Sequence, residues 1–199
     1  LAFLASRFYD PSAGSITLGG RPISEYDNAF LRDHIGFVPQ KAVLFGGTIR
    51  ENILAGKDYP DSRINEALAT SQATDVIASK VHGLDEKIGA GGAGLSGGQR
   101  QRLTIARAVV REPEILILDD SSSALDYRTD AALRRSVAEC SFKPATVIIS
   151  QRASSVMDAD EILVMDDGRC VARGTHDSLL RECDIYREIY ETQFGKASV

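Results

Sequence analysis

Cysteine is scarce in this 199-residue chain: Cys140, Cys170 and Cys183 are odd in number, widely spaced and without a C-x-x-C pair. That argues against a disulfide framework and a structural zinc site, and for a reducing, cytoplasmic setting. Positive charge is not in excess. The formal net charge of −5 offers no electrostatic footprint for a nucleic-acid partner. No apolar run approaches the roughly 18 residues that a membrane helix needs. Membrane association must then come from a partner or from sequence outside these residues. The phosphate-loop pattern G-x-x-x-x-G-K-[ST] is also absent. The Gly-Lys pairs are Gly56-Lys57-Asp58 and Gly195-Lys196-Ala197, and neither has the frame.

What is present is ordinary for a globular protein: 43% hydrophobic and 26% charged residues, in a length sufficient for one substantial domain. The opening Leu1-Ala2-Phe3-Leu4-Ala5-Ser6 reads as the middle of an apolar helix, so a truncated start is expected. Ile16-Thr17-Leu18 and Ile35–Val38 read as strands. Ser24-x-x-Asp27 reads as a helix start. Thr48 begins a helical stretch, and residues 61–80 carry helical spacing. Ser96 opens a helix to about Val110, with Leu103, Ala106 and Val110 on one face. Ile115–Leu118 and Val147–Ile149 are short apolar runs separated by a helical pattern from about Asp126 to Cys140. That arrangement predicts buried parallel strands of a βαβ unit. Ile162–Met165 and Cys170–Ala172 form a hairpin closed by Asp167-Gly168, and one helix is expected from Ser178 to about Tyr190.

Chemistry concentrates at two places. The strand Ile115–Leu118 delivers Asp119 and Asp120 at its C-terminal end, the edge where α/β folds bind ligands. The first carboxylate can help hold Mg²⁺ and the second can orient or deprotonate a water. The plain alternative is a strand ending in a polar turn. The second place is Ser96-Gly97-Gly98-Gln99. Ser96 and Gln99 fit a capping box. Two glycines in the first turn are poor helix formers, and make sense if something must approach the backbone closely. A helix start with free N–H groups is a natural anion site.

The run Leu95-Ser96-Gly97-Gly98-Gln99-Arg100-Gln101-Arg102, followed by Ile105-Ala106-Arg107-Ala108, resembles the signature motif of ATP-binding cassette proteins. Other motifs of that family follow in order. Gln40 after Phe37-Val38-Pro39 resembles the Q-loop. Ser123-Ala124-Leu125-Asp126 resembles the D-loop. Ile148-Ile149-Ser150-Gln151-Arg152 occupies the switch-loop position, and Gly174-Thr175-His176-Asp177 resembles the usual C-terminal stretch. Arg7-Phe8-Tyr9-Asp10-Pro11, the Leu44–Ile53 segment and the Gly89–Gly94 run look like the exporter branch. The resemblance covers nearly the whole chain.

It implies an α/β, P-loop NTPase-like (RecA-like) core with an inserted helical subdomain, lacking its first strands and phosphate loop. The segments are a truncated first core part at 1–45, a helical subdomain with the signature at 46–107, and a second core part with a C-terminal helix at 108–199. It implies ATP and Mg²⁺ as cofactors, with Gln40 and Asp119 toward the metal. Asp120 and Gln151 take the catalytic positions. Leu95, Ser96, Gly97, Gly98 and Gln99 act on a partner's ATP, and Ser123 and Asp126 belong to the D-loop. Implied partners are a second cassette and a transmembrane domain, at the cytoplasmic face of the cell membrane.

Three departures bear on activity. Without the phosphate loop and the adenine-stacking aromatic, these residues alone are expected to bind ATP poorly. Asp120 stands where efficient relatives have Glu, one methylene longer. Gln151 stands where the family usually has His, and an amide cannot become cationic or shuttle a proton. An intact signature beside a weakened core points to the degenerate-site half of a heterodimeric exporter. The alternatives are a homodimeric exporter with a slow Asp/Gln site and a regulatory cassette without transport.

Overall fold

The computed structural model describes residues 1–195. The chain divides into two units, Leu1–Ile149 and a second beginning at Ser150. Lys196, of the second Gly-Lys pair, and the rest of 196–199 lie outside the described residues.

The first unit opens with α1 (Ala2–Ala5), the hairpin β1 (Thr17–Leu18) and β2 (Arg21–Pro22), and α2 (Asn28–His34). Asp27 caps α2 by accepting from the Ala29 N–H, and Ser24 lies in a 3₁₀ turn before it. The helix therefore starts three residues later than the Ser24 reading placed it. β3 (Ile35–Val38) follows directly. Next come β4 (Gly47–Thr48), α3 (Ile49–Leu54), α4 (Asp61–Thr70), α5 (Thr74–Ala78) and β5 (Lys87–Ile88). The single helical stretch expected over 61–80 is thus two helices. Gln72 breaks it with a left-handed φ of 57°, a conformation that ends helices.

The unit closes with α6 (Gly97–Val109), β6 (Ile115–Asp119), α7 (Tyr127–Glu139) and β7 (Ala145–Ile149). β3, β6 and β7 form a parallel sheet in that order. Alternation along β6 sends Leu116 and Leu118 to one face with Val38, Leu103 and Ile105, and Ile117 to the other with Leu31 and Ile35. Both faces of the central strand are therefore covered, as a parallel sheet requires. β7 departs from the expectation of a buried strand. Among the described residues it lies at the edge of the sheet, and Val147 keeps 48% of its surface exposed. An apolar run alone does not distinguish a central strand from an edge.

The second unit holds α8 (Ala153–Val156), the antiparallel hairpin β8 (Ile162–Asp166) and β9 (Arg169–Gly174), α9 (His176–Glu182) and α10 (Asp184–Phe194). Asp167 and Gly168 close the hairpin, both at positive φ, as tight two-residue turns demand. Ile162, Val164, Leu179, Cys183 and Tyr186 form its core. The tail expected as one helix is two, separated at Cys183, whose backbone is extended.

Candidate functional site at the strand ends and the signature turn

Register explains the first cluster. Val38 pairs with Leu118 across β3 and β6, so residues two positions further along each strand emerge side by side at the C-terminal edge. Those residues are Gln40 and Asp120, and Gln40 Nε2 donates to Asp120 Oδ2 at 3.0 Å. Asp119 stands opposite Ile149 of β7, and the Asp120 N–H donates to the Ile149 carbonyl at 2.8 Å. Asp120 itself is left-handed, with φ of 43°. Asp tolerates that region better than most side chains, at a cost in backbone strain.

The turn after Asp120 is closed by Ser123, whose N–H and hydroxyl both donate to the Asp120 carbonyl, at 3.2 and 2.8 Å. Asp126 then caps α7. Its Oδ1 accepts from the Thr129 N–H at 2.9 Å and its Oδ2 from the Thr129 hydroxyl at 2.8 Å. These bonds, the backbone one first, hold its carboxyl below the ordinary value. Ser123 and Asp126 are thus both engaged in shaping their own loop.

The signature turn begins α6 with a full capping box. Ser96 Oγ accepts from the Gln99 N–H at 3.2 Å and Gln99 Oε1 accepts from the Ser96 N–H at 2.9 Å. The two glycines have different physical reasons. A Cβ on Gly98 would meet the Ala124 carbonyl at 3.2 Å and Leu125 Cδ2 at 3.7 Å, so the chain's own loop presses on it. A Cβ on Gly97 would meet nothing within 4 Å. The space beside Gly97 is therefore open. Leu95 is buried beneath this turn, and its carbonyl accepts from Arg100 Nη1 at 2.6 Å. Through the Ala124–Gly98 contact, the strand-end carboxylates and the signature turn sit on one continuous framework.

Gln151 belongs to the second unit. Its carbonyl accepts from Gln193 Nε2 at 2.8 Å, while Gln193 Oε1 accepts from the Ala153 N–H at 2.9 Å. One amide from α10 thus brackets the backbone around Gln151. Sequence reasoning gave Gln193 no role, and only its place on the terminal helix could have suggested one. Gln101, within the signature run on α6, is fully buried, and its amide atoms find no hydrogen-bond partner among the described residues. No group of three or more His, Cys, Asp or Glu side chains among the described residues could hold a metal. No described helix is long and apolar enough to cross a membrane.

A parallel sheet with paired carboxylates at its C-terminal edge, joined to a capped glycine helix start, defines an α/β nucleotide-binding domain of the P-loop NTPase-like class. The family follows from comparison with known proteins: residues 1–123 match the ABC transporter model, and the chain belongs to that family. The uncharacterised ABC transporter ATP-binding protein YfiB of Bacillus subtilis is 42% identical over 97% of this chain. The probable multidrug resistance ABC transporter ATP-binding/permease protein YheI of Bacillus subtilis is 46% identical over 94%. The ATP-dependent lipid A-core flippase of Salmonella typhimurium is 40% identical over 98%. The chain spans 34%, 32% and 34% of these relatives, about a third of their length. The solved structure of a bacterial Atm1-family ABC exporter with ATP bound superposes with a TM-score of 0.91 at 38% identity, covering 97% of this chain and 34% of that one.

Proposed function

We propose that this chain is the nucleotide-binding domain of an exporter, located at the cytoplasmic face of a membrane, and that its main catalytic contribution goes to ATP held by another cassette. The observation that carries this reading is the signature turn. Ser96 and Gln99 satisfy each other's backbone, and Gly97 leaves the helix start uncovered. Such a start attracts anions through its N–H groups and the helix dipole. The Ser96 hydroxyl, an acceptor in the cap, keeps its proton for a phosphate oxygen.

The oxygen donors at the strand ends fit Mg²⁺. That ion takes one or two carboxylates and completes its shell with water and phosphate oxygens rather than with a protein cage. Asp119 and the carbonyl oxygen of the Gln40 amide would hold it, and when bound it neutralises charge on the phosphates. Asp120 orients a water in this scheme, but it is one methylene shorter than Glu. A misplacement of about 1 Å can cost on the order of 10²-fold in rate. Gln151, at the switch position, can donate a hydrogen bond but cannot carry a proton. The chain's own site is therefore the weak one. The residues from 1 to 199, lacking the phosphate-loop pattern, do not hydrolyse ATP by themselves.

By this reading the partner is a different cassette, one with Glu and His at the corresponding positions. Purifying the full-length protein alone and together with a cassette encoded beside it tests the pairing. Turnover at least tenfold higher for the mixed complex is expected. Equal turnover of the protein alone would instead favour a homodimer with a slow Asp/Gln site. Lipids, peptides and drugs are the substrate classes to be tried, and the names of YheI and of the lipid A-core flippase support beginning with drugs and lipids.

A further inference from the structure

The segment following Gln40 is fastened to the signature helix by a polar cluster that the proposed reaction has not used. Asn52, on α3, is almost fully buried. Its Nδ2 donates to the carbonyls of Phe45 and Thr48 at 2.9 and 3.0 Å, and its Oδ1 accepts from the Phe45 N–H at 2.8 Å. Arg107, near the C-terminal end of α6, completes the cluster. Its Nε donates to the Asn52 carbonyl at 2.7 Å, its Nη2 to Asn52 Oδ1 at 2.9 Å and its Nη1 to the Val43 carbonyl at 3.0 Å. Its guanidinium also lies 5.2 Å from the centre of the Phe45 ring. These acceptors are all neutral. A general surface ion pair would use a carboxylate; here a planar fork grips the backbone carbonyls of Val43, in a loop, and Asn52, on α3, together with the Asn52 amide oxygen.

We infer that Arg107 and Asn52 are positioning residues that make the Val43–Thr48 segment move as one body with α6, linking the signature turn to Gln40. α6 is an unbroken helix of 13 residues with the signature turn at its start. Arg107 lies ten residues beyond Gly97, about 15 Å along the axis. A helix transmits a rigid-body shift over that length. Arg107 passes the shift to the Val43 carbonyl, three residues from Gln40. Gln40 in turn holds the Asp120 carboxylate at 3.0 Å. A second tie, from the Gly91 N–H to the Leu44 carbonyl at 3.0 Å, fixes the same segment to the glycine-rich run before the signature. An event at Ser96 thereby reaches the chain's own acidic strand end without a diffusing messenger.

The inference rests on the reading that ATP engages the signature turn, and the test separates the two. In the full-length protein with its partner cassette in lipid nanodiscs, amide exchange is followed with and without Mg-ATP. The Phe45 N–H reports the cluster directly, because its acceptor is Asn52 Oδ1. In the unaltered protein, nucleotide is expected to slow exchange at Gly97–Gln99 and at Phe45 together, each by at least about tenfold. In Arg107→Lys, which keeps the charge and loses the fork, Gly97–Gln99 should still slow while the change at Phe45 falls below about twofold. That split between the two sets of amides is one that simple destabilisation would not produce. Equal slowing at Phe45 in Arg107→Lys overturns the inference. Arg107→Met, which keeps the packing of the stem and removes every donor to Val43 and Asn52, repeats the test if Arg107→Lys fails to fold. Failure of nucleotide to slow Gly97–Gln99 even in the unaltered protein would instead remove the reading beneath it.

Discussion

Gln40 and Asp120 meet across the ends of two adjacent parallel strands, the amide of one donating to the carboxylate of the other at 3.0 Å. The contact occupies an oxygen that a water-orienting carboxylate would need. On the reading proposed above, this contact and the short Asp120 side chain make the chain's own site the slow one. Lengthening the carboxylate should reverse this. Asp120→Glu combined with Gln151→His, placed in a complex whose partner cassette has its own glutamate disabled, is expected to raise ATP turnover at least tenfold. Steady-state ATPase assays of the reconstituted complex read the result.

The two signature glycines should separate stability from function. Gly97→Ala adds a Cβ to open space, so the melting temperature should not fall, because Ala is a better helix former by about 0.5–1 kcal/mol. Turnover should nevertheless fall at least tenfold if, as proposed above, phosphate approaches the helix start at that point. Gly98→Ala sets a methyl 3.2 Å from the Ala124 carbonyl and must displace the loop that carries Ser123 and Asp126. It should lower both melting temperature and turnover. Calorimetry beside an ATPase assay distinguishes the two.

Gln193 should hold the backbone around Gln151. Gln193→Ala removes both bracketing bonds, each worth about 1 kcal/mol net. Exchange of the Ala153 amide should accelerate several-fold, while amides of β8 and β9 remain unchanged. Gln193→Glu keeps the acceptor for the Ala153 N–H and loses the donor to Gln151, so its effect on that amide should be smaller. Hydrogen exchange resolved to single residues measures both.

Acid should weaken the cap of α7. The Asp126 carboxyl lies below its ordinary value because Thr129 bonds its charged form. Its contribution is therefore complete above the unfolded carboxylate value, near about 4, and is lost as pH falls through the lower folded value. Asp126→Asn retains an acceptor oxygen and does not titrate. Its melting temperature should fall less than that of the unaltered protein between pH 5 and 3, followed by circular dichroism.

Much of this was legible in the residues, and for identifiable reasons. β3 coincides with its apolar run because His34 ends a helix on one side and Pro39 stops the ladder on the other. α6 is bounded as read because Ser96 and Gln99 form a local cap that needs no tertiary partner. The breaks at Gln72 and Cys183 were not legible, because neither residue is a usual helix breaker. Gln72 is held in place by its bond to Ser136 Oγ at 2.8 Å, far away in sequence. The edge position of β7 and the pairing of Gln40 with Asp120 depend on strand order and register, which periodicity does not carry. The Asn52–Arg107 cluster joins residues 55 apart in sequence, and neither side chain signals its partner.

If, as proposed, this chain serves ATP bound by another cassette more than its own, its signature turn should matter more to turnover than its own strand-end carboxylate. The most direct measurement compares Asp120→Asn and Ser96→Arg in the full reconstituted complex, with ATP turnover as the readout. Turnover within about twofold of the unaltered complex is expected for Asp120→Asn, and a loss of at least about tenfold for Ser96→Arg. The reverse pattern, with Asp120→Asn inactive and Ser96→Arg fully active, would contradict it.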